Sequence, residues 1–446
     1  MSASCCLVVG LGKTGHSIAR YLQRRQRSFV VFDTRDDPLG LSEFQAEFPE
    51  TPVFLGALPE FYFGEISEVI CSPGAALDSP VLLKAKHSGI PVIGDIECFA
   101  RDMRAPVIAI TGTNGKSTVT TLVGEMAKAD HRQVAVAGNI GLPVLDLLED
   151  GIDYALCVLE LSSFQLELVS SLRPIAATVL NITSDHLDRH HTMAAYQQAK
   201  HRVYHHAAMQ LYNREDPSTR PDNGSNQAHI VSFGFDVPQP GHWGLRVHHG
   251  EKGLSCGEDY LLPVDRVRIK GRHNVQNAMA ACALAQAAGI SRAAMVAVLE
   301  NFPGLPHRSQ WVRTLEGVEW INDSKGTNVG ATLSAISGVG GSMQGKIVLI
   351  AGGQGKGADF TELRAPIATF VRAVVLMGED AAQLEATWSD LVPIHRVGSM
   401  EEAVSTAREA AHPGDVVLLS PACASLDMFR DFNHRGDSFA ASVGAL

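Results

Sequence analysis

The feature that most constrains this chain is a glycine-rich segment that separates an apolar run from a helical pattern. Residues 107–110 are apolar and predict a buried strand, and Thr111-Gly112-Thr113-Asn114-Gly115-Lys116-Ser117-Thr118 follows directly. Apolar residues then recur at positions 119, 122, 123, 126 and 127, which is the spacing of a helix. In the order strand, glycine loop, helix, backbone N–H groups converge at a helix N-terminus, where the dipole favours anions. We therefore predict a P-loop.

In such a loop Lys116 reaches the outer phosphates of a nucleotide, and the hydroxyl of Ser117 or Thr118 binds Mg²⁺. The pattern departs from the general P-loop at one position, because Ile110 stands five places before Gly115, where a glycine is usual. Gly112 supplies the backbone freedom instead.

The bulk properties describe an ordinary globular protein. Its 446 residues suggest about three domains at roughly 150 residues each. A formal net charge of −11 argues against nucleic acid as the main partner. No apolar run approaches the roughly 18 residues of a membrane helix, and residues 1–6 lack the basic region of a signal peptide. Eight scattered cysteines without a CxxC pair favour reduced thiols, so we expect a cytoplasmic protein, and a monomer.

The first part of the chain carries a second glycine loop. An apolar strand over residues 5–10 runs into Gly10-Leu11-Gly12-Lys13-Thr14-Gly15, and a later strand ends at Asp33, 18 residues past the third glycine. This matches the dinucleotide fingerprint, although any nucleotide diphosphate could use the same geometry. Another strand ends in Ser72-Pro73-Gly74, and ligands of open α/β sheets lie at such strand ends.

Three candidate groups follow the P-loop. A strand over residues 154–159 ends on Glu160, a carboxylate well placed for Mg²⁺ beside a phosphate loop. His186 lies in a loop between two acids, where it could bind metal, although such a histidine is more often a hydrogen-bonding residue. Lys200 lies in a helical pattern and, taken alone, is an exposed helix lysine. Five further histidines are expected at the surface, at positions 190, 191, 201, 205 and 206.

The last third of the chain reads as another α/β unit. Asn274 and Asn277 are three residues apart at the start of an alanine-rich helix, where they cap it by default or contact a nucleotide. A linker at residues 301–306 precedes strands that alternate with helices. A glycine-lysine loop at residues 352–357 lacks the Lys-Ser/Thr pair and is better suited to a carboxylate. We predict domains at 1–94, 95–302 and 303–446.

These motifs together resemble the Mur ligases, the ATP-dependent amide-forming enzymes of peptidoglycan synthesis. The resemblance runs the full length of the chain and rests on six segments: Thr111 to Thr118, Glu160-Leu161-Ser162-Ser163, Asp185-His186, His273-Asn274, His307-Arg308 and Asn322-Asp323-Ser324-Lys325. Its first unit and the segment Ser420-Pro421-Ala422-Cys423-Ala424-Ser425 most resemble the branch that adds D-glutamate to UDP-N-acetylmuramoyl-L-alanine.

The resemblance implies an α/β fold of three domains: a Rossmann-like UDP-binding domain, a central P-loop ATPase-like domain and a C-terminal Rossmann-like domain. It also implies that ATP phosphorylates the substrate carboxylate and that D-glutamate attacks the acyl phosphate. Magnesium, most simply two ions, would be held by Ser117, Glu160, His186 and a carbamylated Lys200. Lys116, Glu160, His186 and Lys200 would form the catalytic set.

By the same resemblance, further residues are expected to bind the three substrates. ATP would meet Gly112, Thr113, Asn114, Gly115, Lys116, Ser117, Thr118, Asn274, Asn277, Arg308 and Asp323. The UDP-sugar would meet Lys13, Thr14, Asp33, Thr34, Arg35, Gly74 and Asn139. D-glutamate would meet Thr327, Lys356, Ser425 and Phe432.

Alternatives within the same class of ligases, and two outside it, stay open at this stage. Another branch of the family could add L-alanine or a diamino acid, although no Asp-Asn-Pro-Arg-type motif of the diamino-acid enzymes is present. Folylpolyglutamate synthetase is a relative that lacks a UDP-binding first domain of this kind. An NAD-dependent oxidoreductase would explain the first glycine loop but not the P-loop. A non-catalytic nucleotide-binding protein would leave Glu160, His186 and Lys200 unexplained.

Overall fold

The computed structural model describes residues 5–222, 228–269, 271–341 and 343–446. It contains three β-sheets, built from successive stretches of the chain and flanked by helices. The predicted α/β fold of three domains is confirmed. The predicted domain limits stay predictions, and residues 1–4, on which the signal-peptide argument partly rests, lie outside the described residues.

The first sheet is parallel throughout and has the order β3-β2-β1-β4-β5. Its strands β1–β5 span Cys5–Val9, Phe29–Asp33, Val53–Leu55, Ile66–Cys71 and Val92–Gly94. The helices α1–α3 span Lys13–Arg24, Leu41–Glu47 and Pro80–His87. The chain order reverses between β1 and β4, so the strand ends at Gly10 and Ser72 open on one crevice, as expected for this topology.

The central sheet has nine strands in the order β14-β13-β12-β11-β10-β9-β6-β8-β7. Strands β6–β14 span Val107–Thr111, Val134–Gly138, Leu156–Glu160, Ala176–Val179, Met209–Asn213, His229–Phe233, Trp243–His248, Glu251–Cys256 and Asp259–Pro263. The helices α4–α10 span Asp95–Asp102, Lys116–Ala129, Ser163–Leu166, Leu187–His190, Met193–His201, Arg272–Ala287 and Arg292–Asn301. The buried strands β6, β8 and β9 are neighbours, so the P-loop, Glu160 and the loop after β9 meet at one edge.

The third sheet has the order β15-β16-β20-β17-β18-β19. Strands β15–β20 span Gln310–Leu315, Val318–Asn322, Ile347–Gly352, Val371–Met377, Ile394–Arg396 and Val416–Leu419. The helices α11–α15 span Val329–Gly340, Arg364–Phe370, Ala381–Trp388, Met400–Ala410 and Phe432–Ala445. All pairs are parallel except β15 with β16.

Two features of the sheets were not predicted. The hairpins β12 to β14 are antiparallel, and β15 is an antiparallel edge strand. Both are partly exposed and therefore lack the continuous apolar run that marks a buried parallel strand. Within the described residues, no helix has the length and apolarity that crossing a membrane requires. All eight cysteines are described, and none forms a disulfide.

Helix α1 ties the first domain to the central one. Asp146 accepts hydrogen bonds from Ser17 Oγ at 2.8 Å and from Arg20 at 3.2 Å. Asp102 accepts from Tyr21 Oη at 2.5 Å and from Arg25 Nε at 2.9 Å. Apolar residues of both domains also form one buried cluster under these contacts. The first two domains therefore share an interface that combines apolar packing with hydrogen bonds to half-buried aspartates.

The glycine loop of the first domain is held by close backbone packing. Gly10 has a φ of +101°, in the region that favours glycine. A Cβ added to Gly15 would collide with the carbonyl oxygen of Gly10. Gly12 has an extended backbone with a φ of −126°, and no described atom lies within 4 Å of an added Cβ there.

We predict that Gly15→Ala destabilises the first domain and Gly12→Ala does not. Alanine favours the helix by about 1 kcal/mol at position 15, but overpacking typically costs 1–3 kcal/mol. Urea unfolding followed by circular dichroism measures both variants. A Gly15→Ala midpoint at or above the Gly12→Ala midpoint would contradict the close packing.

Candidate active site

A cavity of about 330 Å³ lies between the central sheet edge and the C-terminal domain. Its walls include fourteen of the residues predicted to bind: Thr113, Asn114, Gly115, Lys116, Ser117, Asn139, Glu160, His186, Lys200, Arg308, Thr327, Lys356, Ser425 and Phe432. Predicted ATP residues that are absent from these walls are Gly112, Thr118, Asn274, Asn277 and Asp323. The structure thus brings the predicted phosphate, metal and amino-acid residues to one place.

The P-loop has the expected strand-loop-helix geometry, with α5 beginning at Lys116. Gly112 and Gly115 have φ values of +150° and +83°, so both positions use the freedom of glycine. Lys116 Nζ donates to the carbonyl oxygens of Gly112 at 3.0 Å and Thr113 at 2.8 Å. Burial lowers the pKa of Lys116. The Lys116 side chain therefore turns back onto the P-loop, and its ammonium is hydrogen-bonded to P-loop carbonyl oxygens at the cavity wall.

Residues of the loop after β9 hold the P-loop through hydrogen bonds to its backbone and to the Thr113 side chain. Asn181 Oδ1 accepts from Asn114 N at 2.8 Å, and Asn181 Nδ2 donates to Asn114 O at 3.0 Å. Thr113 Oγ1 accepts from Thr183 N at 3.0 Å. Asn181 was not predicted, because its amide acts on backbone atoms 67 residues earlier in the chain and no local pattern reports that.

Glu160 has the features of a cation ligand. Its side chain is 2% exposed, and Oε1 accepts from Asn139 Nδ2 at 2.8 Å. Oε2 is buried without a hydrogen-bond partner among the described residues. A buried carboxylate oxygen without a donor is costly unless a cation compensates it. Asn139, predicted at the UDP-sugar, thus also orients this carboxylate.

The other proposed metal ligands line the same cavity as Glu160. His186 has a φ of +54°, and its Nε2 lies 3.6 Å from Asp185 Oδ2. Burial lowers the pKa of His186, which favours the neutral imidazole ring that can bind metal. Ser117 Oγ accepts from Arg308 at 2.6 Å. No group of three His, Cys, Asp or Glu side chains is gathered as a metal site in the described part of the chain. The donor set fits a hard cation only if Ser117 and a modified Lys200 contribute oxygen.

Lys200 is not the exposed helix lysine that the local pattern predicts. Its side chain is 2% exposed, and Nζ donates to Gly112 O at 2.8 Å. The ammonium also lies 4.4 Å from the ring centroid of Tyr196. Burial and the charge of Lys116 lower the pKa of Lys200 well below its usual value. Helical spacing alone could not show this, because the burial comes from the P-loop packed against α8.

Two other local predictions were wrong. His190 is buried, with Nε2 2.9 Å from Ser163 Oγ and its ring stacked on Phe164, because α7 packs its last residue inward. Asn274 and Asn277 do not cap α9, whose N-cap is Gly271. Asn277 instead faces the P-loop, because a Cβ on Gly115 would lie 2.5 Å from Asn277 Oδ1.

The C-terminal domain contributes basic groups to the opposite wall. Lys325, which was not predicted as a binding residue, lies with Nζ 3.9 Å from the ring centroid of Phe432. Burial, with the charges of Arg308 and Lys116, lowers its pKa to about 8. Asp323 accepts from Ser420 Oγ at 2.8 Å and Ser309 N at 3.0 Å, and burial raises its pKa to about 6. Asp323 therefore braces the Arg308 loop from behind the cavity.

Apart from Asn139, the predicted UDP-sugar residues lie on the first domain, at or near the strand ends of its sheet. Asp33 Oδ2 accepts from Leu11 N at 2.8 Å, and the Arg35 guanidinium donates to both oxygens. Burial raises the pKa of Asp33, but these bonds outweigh it and bring the pKa to about 2. Lys13 lines a second cavity of about 510 Å³ beside α1. Thr34, Gly74 and Thr14 are near these groups in the chain, and their roles stay predictions.

Three family models match successive parts of the chain. Residues 4–94 match the Mur ligase MurD-like N-terminal domain, residues 110–285 the Mur ligase middle domain, and residues 307–423 the Mur ligase glutamate ligase domain. The chain is 62% identical over 448 residues to a protein of Legionella pneumophila strain Philadelphia 1, covering 100% of both chains. It is 50% identical over 440 residues to one of Pseudomonas aeruginosa PAO1, covering 99% of this chain and 98% of that one. Both relatives are named UDP-N-acetylmuramoylalanine–D-glutamate ligase.

Solved structures share the fold. The MurF ligase of Thermotoga maritima in complex with ADP gives a TM-score of 0.62 at 17% identity, covering 100% of this chain and 96% of that one. The UDP-N-acetylmuramate–alanine ligase of the same organism gives 0.60 at 18% identity, covering 99% of both. Because full-length relatives match at 50% identity or more and the family models follow the chain in order, this protein belongs to the Mur ligase family.

Proposed function

We propose that this protein is an ATP-dependent ligase that adds D-glutamate to UDP-N-acetylmuramoyl-L-alanine in peptidoglycan precursor synthesis. The observation that carries the proposal is the cavity in which the P-loop, the partnerless Glu160 carboxylate and a basic C-terminal wall face one another. The names of the full-length relatives supply the substrates. Through this reaction the protein would serve cell wall biogenesis, cell shape and cell division.

The reaction takes two steps, because a free carboxylate is a poor electrophile. First, an oxygen of the L-alanine carboxylate attacks the γ-phosphorus of ATP, and ADP leaves. Next, the amine of D-glutamate attacks the carbonyl carbon of the acyl phosphate. The tetrahedral intermediate expels inorganic phosphate, and the nitrogen loses a proton to become the amide. Lys116, Arg308 and the N-terminus of α5 are placed to offset the charge that builds on the phosphates.

Magnesium, when bound, would supply further positive charge at the phosphate oxygens. The residues to hold it are Glu160, His186, Ser117 and Lys200, most simply around two ions. Glu160 fits best, because its Oε2 is buried without a partner in the described structure while Asn139 fixes Oε1. An ammonium on Lys200 would repel the ions, so this residue fits only in another chemical form.

We infer that Lys200 is carbamylated. Burial lowers its pKa, which raises the fraction of neutral amine that can attack CO₂. The ammonium first loses one proton, the neutral nitrogen then forms a bond to the carbon of CO₂, and a second proton is released, so the side-chain charge changes overall from +1 to −1. The product presents oxygen atoms, which suit a hard cation, and keeps one N–H that can still donate to Gly112 O.

The remaining assignments follow the same proposal. The UDP-sugar would bind to the first domain at Lys13, Thr14, Asp33, Thr34, Arg35 and Gly74, with Asn139 at the acyl end. D-glutamate would bind at Thr327, Lys356, Ser425 and Phe432, of which all four line the cavity. The protein would act in the cytoplasm as a monomer. With the proposed domain limits at 94–95 and 302–303, each substrate would have most of its residues on one domain, and the exceptions would be Asn139, Arg308 and Asp323.

We predict that ATP turnover requires both the UDP-sugar and D-glutamate, because the acyl phosphate otherwise has no acceptor. Phosphate release is measured with UDP-N-acetylmuramoyl-L-alanine and a panel of D-glutamate, L-glutamate, L-alanine, L-lysine and diaminopimelate. Turnover with L-lysine or diaminopimelate and none with D-glutamate would assign the chain to another branch of the family. NAD binding in place of the UDP-sugar would favour the oxidoreductase alternative.

We predict that Lys200→Ala lowers kcat by at least about 100-fold, as is typical when a charge-stabilising group is lost. A small added carboxylic acid should restore part of the activity, because it fills the same space with the same charge. Lys200→Arg should not be active, since a guanidinium does not form this carbamate. Full activity of the alanine variant in CO₂-depleted buffer would rule the carbamate out.

A further inference from the structure

The N-terminus of α11 makes a reciprocal contact with the P-loop. Asn328 is the N-cap of this helix, and its Oδ1 accepts from Ala331 N at 2.9 Å. The same oxygen accepts from Asn114 Nδ2 at 3.3 Å, while Asn328 Nδ2 donates to Asn114 Oδ1 at 3.3 Å. Asn328 Nδ2 also lies 3.4 Å from Asp185 Oδ2. The Asn328 side chain thus caps the N-terminus of a helix in the C-terminal domain and hydrogen-bonds two residues of the central domain.

The partner of Asn328 is held in place from behind. Asn181 bonds both the N–H and the carbonyl oxygen of Asn114, at 2.8 Å and 3.0 Å. These two bonds hold the backbone of Asn114 in place opposite Asn328. The pair Asn114–Asn328 is therefore a defined contact point between two domains.

Gly330, two residues after Asn328 in the first turn of α11, makes a second contact. A Cβ added to Gly330 would lie 2.8 Å from Thr183 Oγ1 and 3.1 Å from Thr183 Cβ. Thr183 in turn donates its backbone N–H to the P-loop residue Thr113. Alanine would favour this helix more than glycine does. The glycine is therefore explained by the close approach of Thr183 in the central domain.

We propose that Asn328 and Gly330 are positioning residues, which seat the amino-acid-binding end of the C-terminal domain on the P-loop. The inference rests on the proposed function, since Thr327, which precedes Asn328, is assigned to the amino acid. Thr327 and the P-loop face the same cavity, so the seat of α11 sets the distance between the incoming amine and the phosphates. Neither residue contacts a reacting atom; each acts through the position of its neighbours.

The test compares two glycine-to-alanine variants of the same helix. Gly330→Ala places a methyl group against Thr183, whereas an added Cβ at Gly338 would lie 3.9 Å from a ring carbon of His273, an ordinary contact. We expect Gly330→Ala to raise the KM for the amino acid at least tenfold and to leave the KM for the UDP-sugar within threefold. Gly338→Ala should change neither by more than twofold. A fraction of unfolded enzyme would lower the apparent kcat and leave both KM values unchanged. A rise in the KM for the amino acid alone therefore distinguishes a positioning role from partial unfolding.

A compensating substitution sharpens the test. Thr183 Oγ1 has no hydrogen-bond partner in the described structure, so Thr183→Ala removes Oγ1, the nearest obstructing atom, and Cγ2, without losing a bond seen there. We expect Gly330→Ala/Thr183→Ala to recover most of the lost amino-acid KM. Asn328→Ser should reproduce the KM split of Gly330→Ala, because serine still caps α11 but is too short to reach Asn114.

The inference is overturned if Gly330→Ala and Asn328→Ser keep a wild-type KM for the amino acid, or if Thr183→Ala rescues nothing. Every assay uses the amino acid that the wild-type enzyme turns over. An acceptor other than D-glutamate would then refute the proposed substrate, while the comparison between variants would still decide whether α11 is seated through these contacts.

Discussion

The site depends on a concentration of positive charge that water cannot screen. The basic residues on the cavity walls are Lys116, Lys200, Arg308, Lys325 and Lys356, and the acidic ones are Glu160, Asp185 and Asp431. Burial lowers the pKa of Lys116, Lys200 and Arg308, because it removes water from their protonated forms. Bound anions would offset these charges. A triphosphate, two substrate carboxylates and a lysine converted to a carbamate would do so, and the same charges then stabilise the acyl-phosphate chemistry.

The first and C-terminal domains are attached to the central domain by different kinds of contact. The first domain is joined to the central one by a shared apolar cluster and by the bonds that α1 makes to Asp102 and Asp146. The C-terminal domain reaches the P-loop through fewer polar contacts, chiefly those of Arg308 with Ser117 and of Asn328 with Asn114. The UDP-sugar site would therefore be preformed, because the first two domains are packed together. The binding of the amino acid would depend on the position of the C-terminal domain relative to the P-loop.

Local sequence patterns predicted the parts of the structure that local physics determines. The P-loop, Glu160 at the end of β8 and the buried parallel strands follow from apolar runs and glycine positions. The burial of Lys200 and His190 was not predictable in this way, because each is covered by segments distant in the chain. Asn181 and Asn328 were missed for a related reason: an asparagine at a strand end or helix cap already has a sufficient local explanation. Partly exposed antiparallel strands were missed because they carry no apolar run.

The central claim is that the L-alanine carboxylate of the substrate is activated as an acyl phosphate in the cavity that holds the P-loop. Labelling both oxygens of that carboxylate with ¹⁸O tests it most directly, because the attacking oxygen remains on phosphorus when the amine displaces phosphate. Mass spectrometry of the inorganic phosphate released during turnover with ATP and D-glutamate should show one ¹⁸O per molecule, with the other ¹⁸O in the amide carbonyl. Unlabelled phosphate alongside normal amide formation would contradict the account.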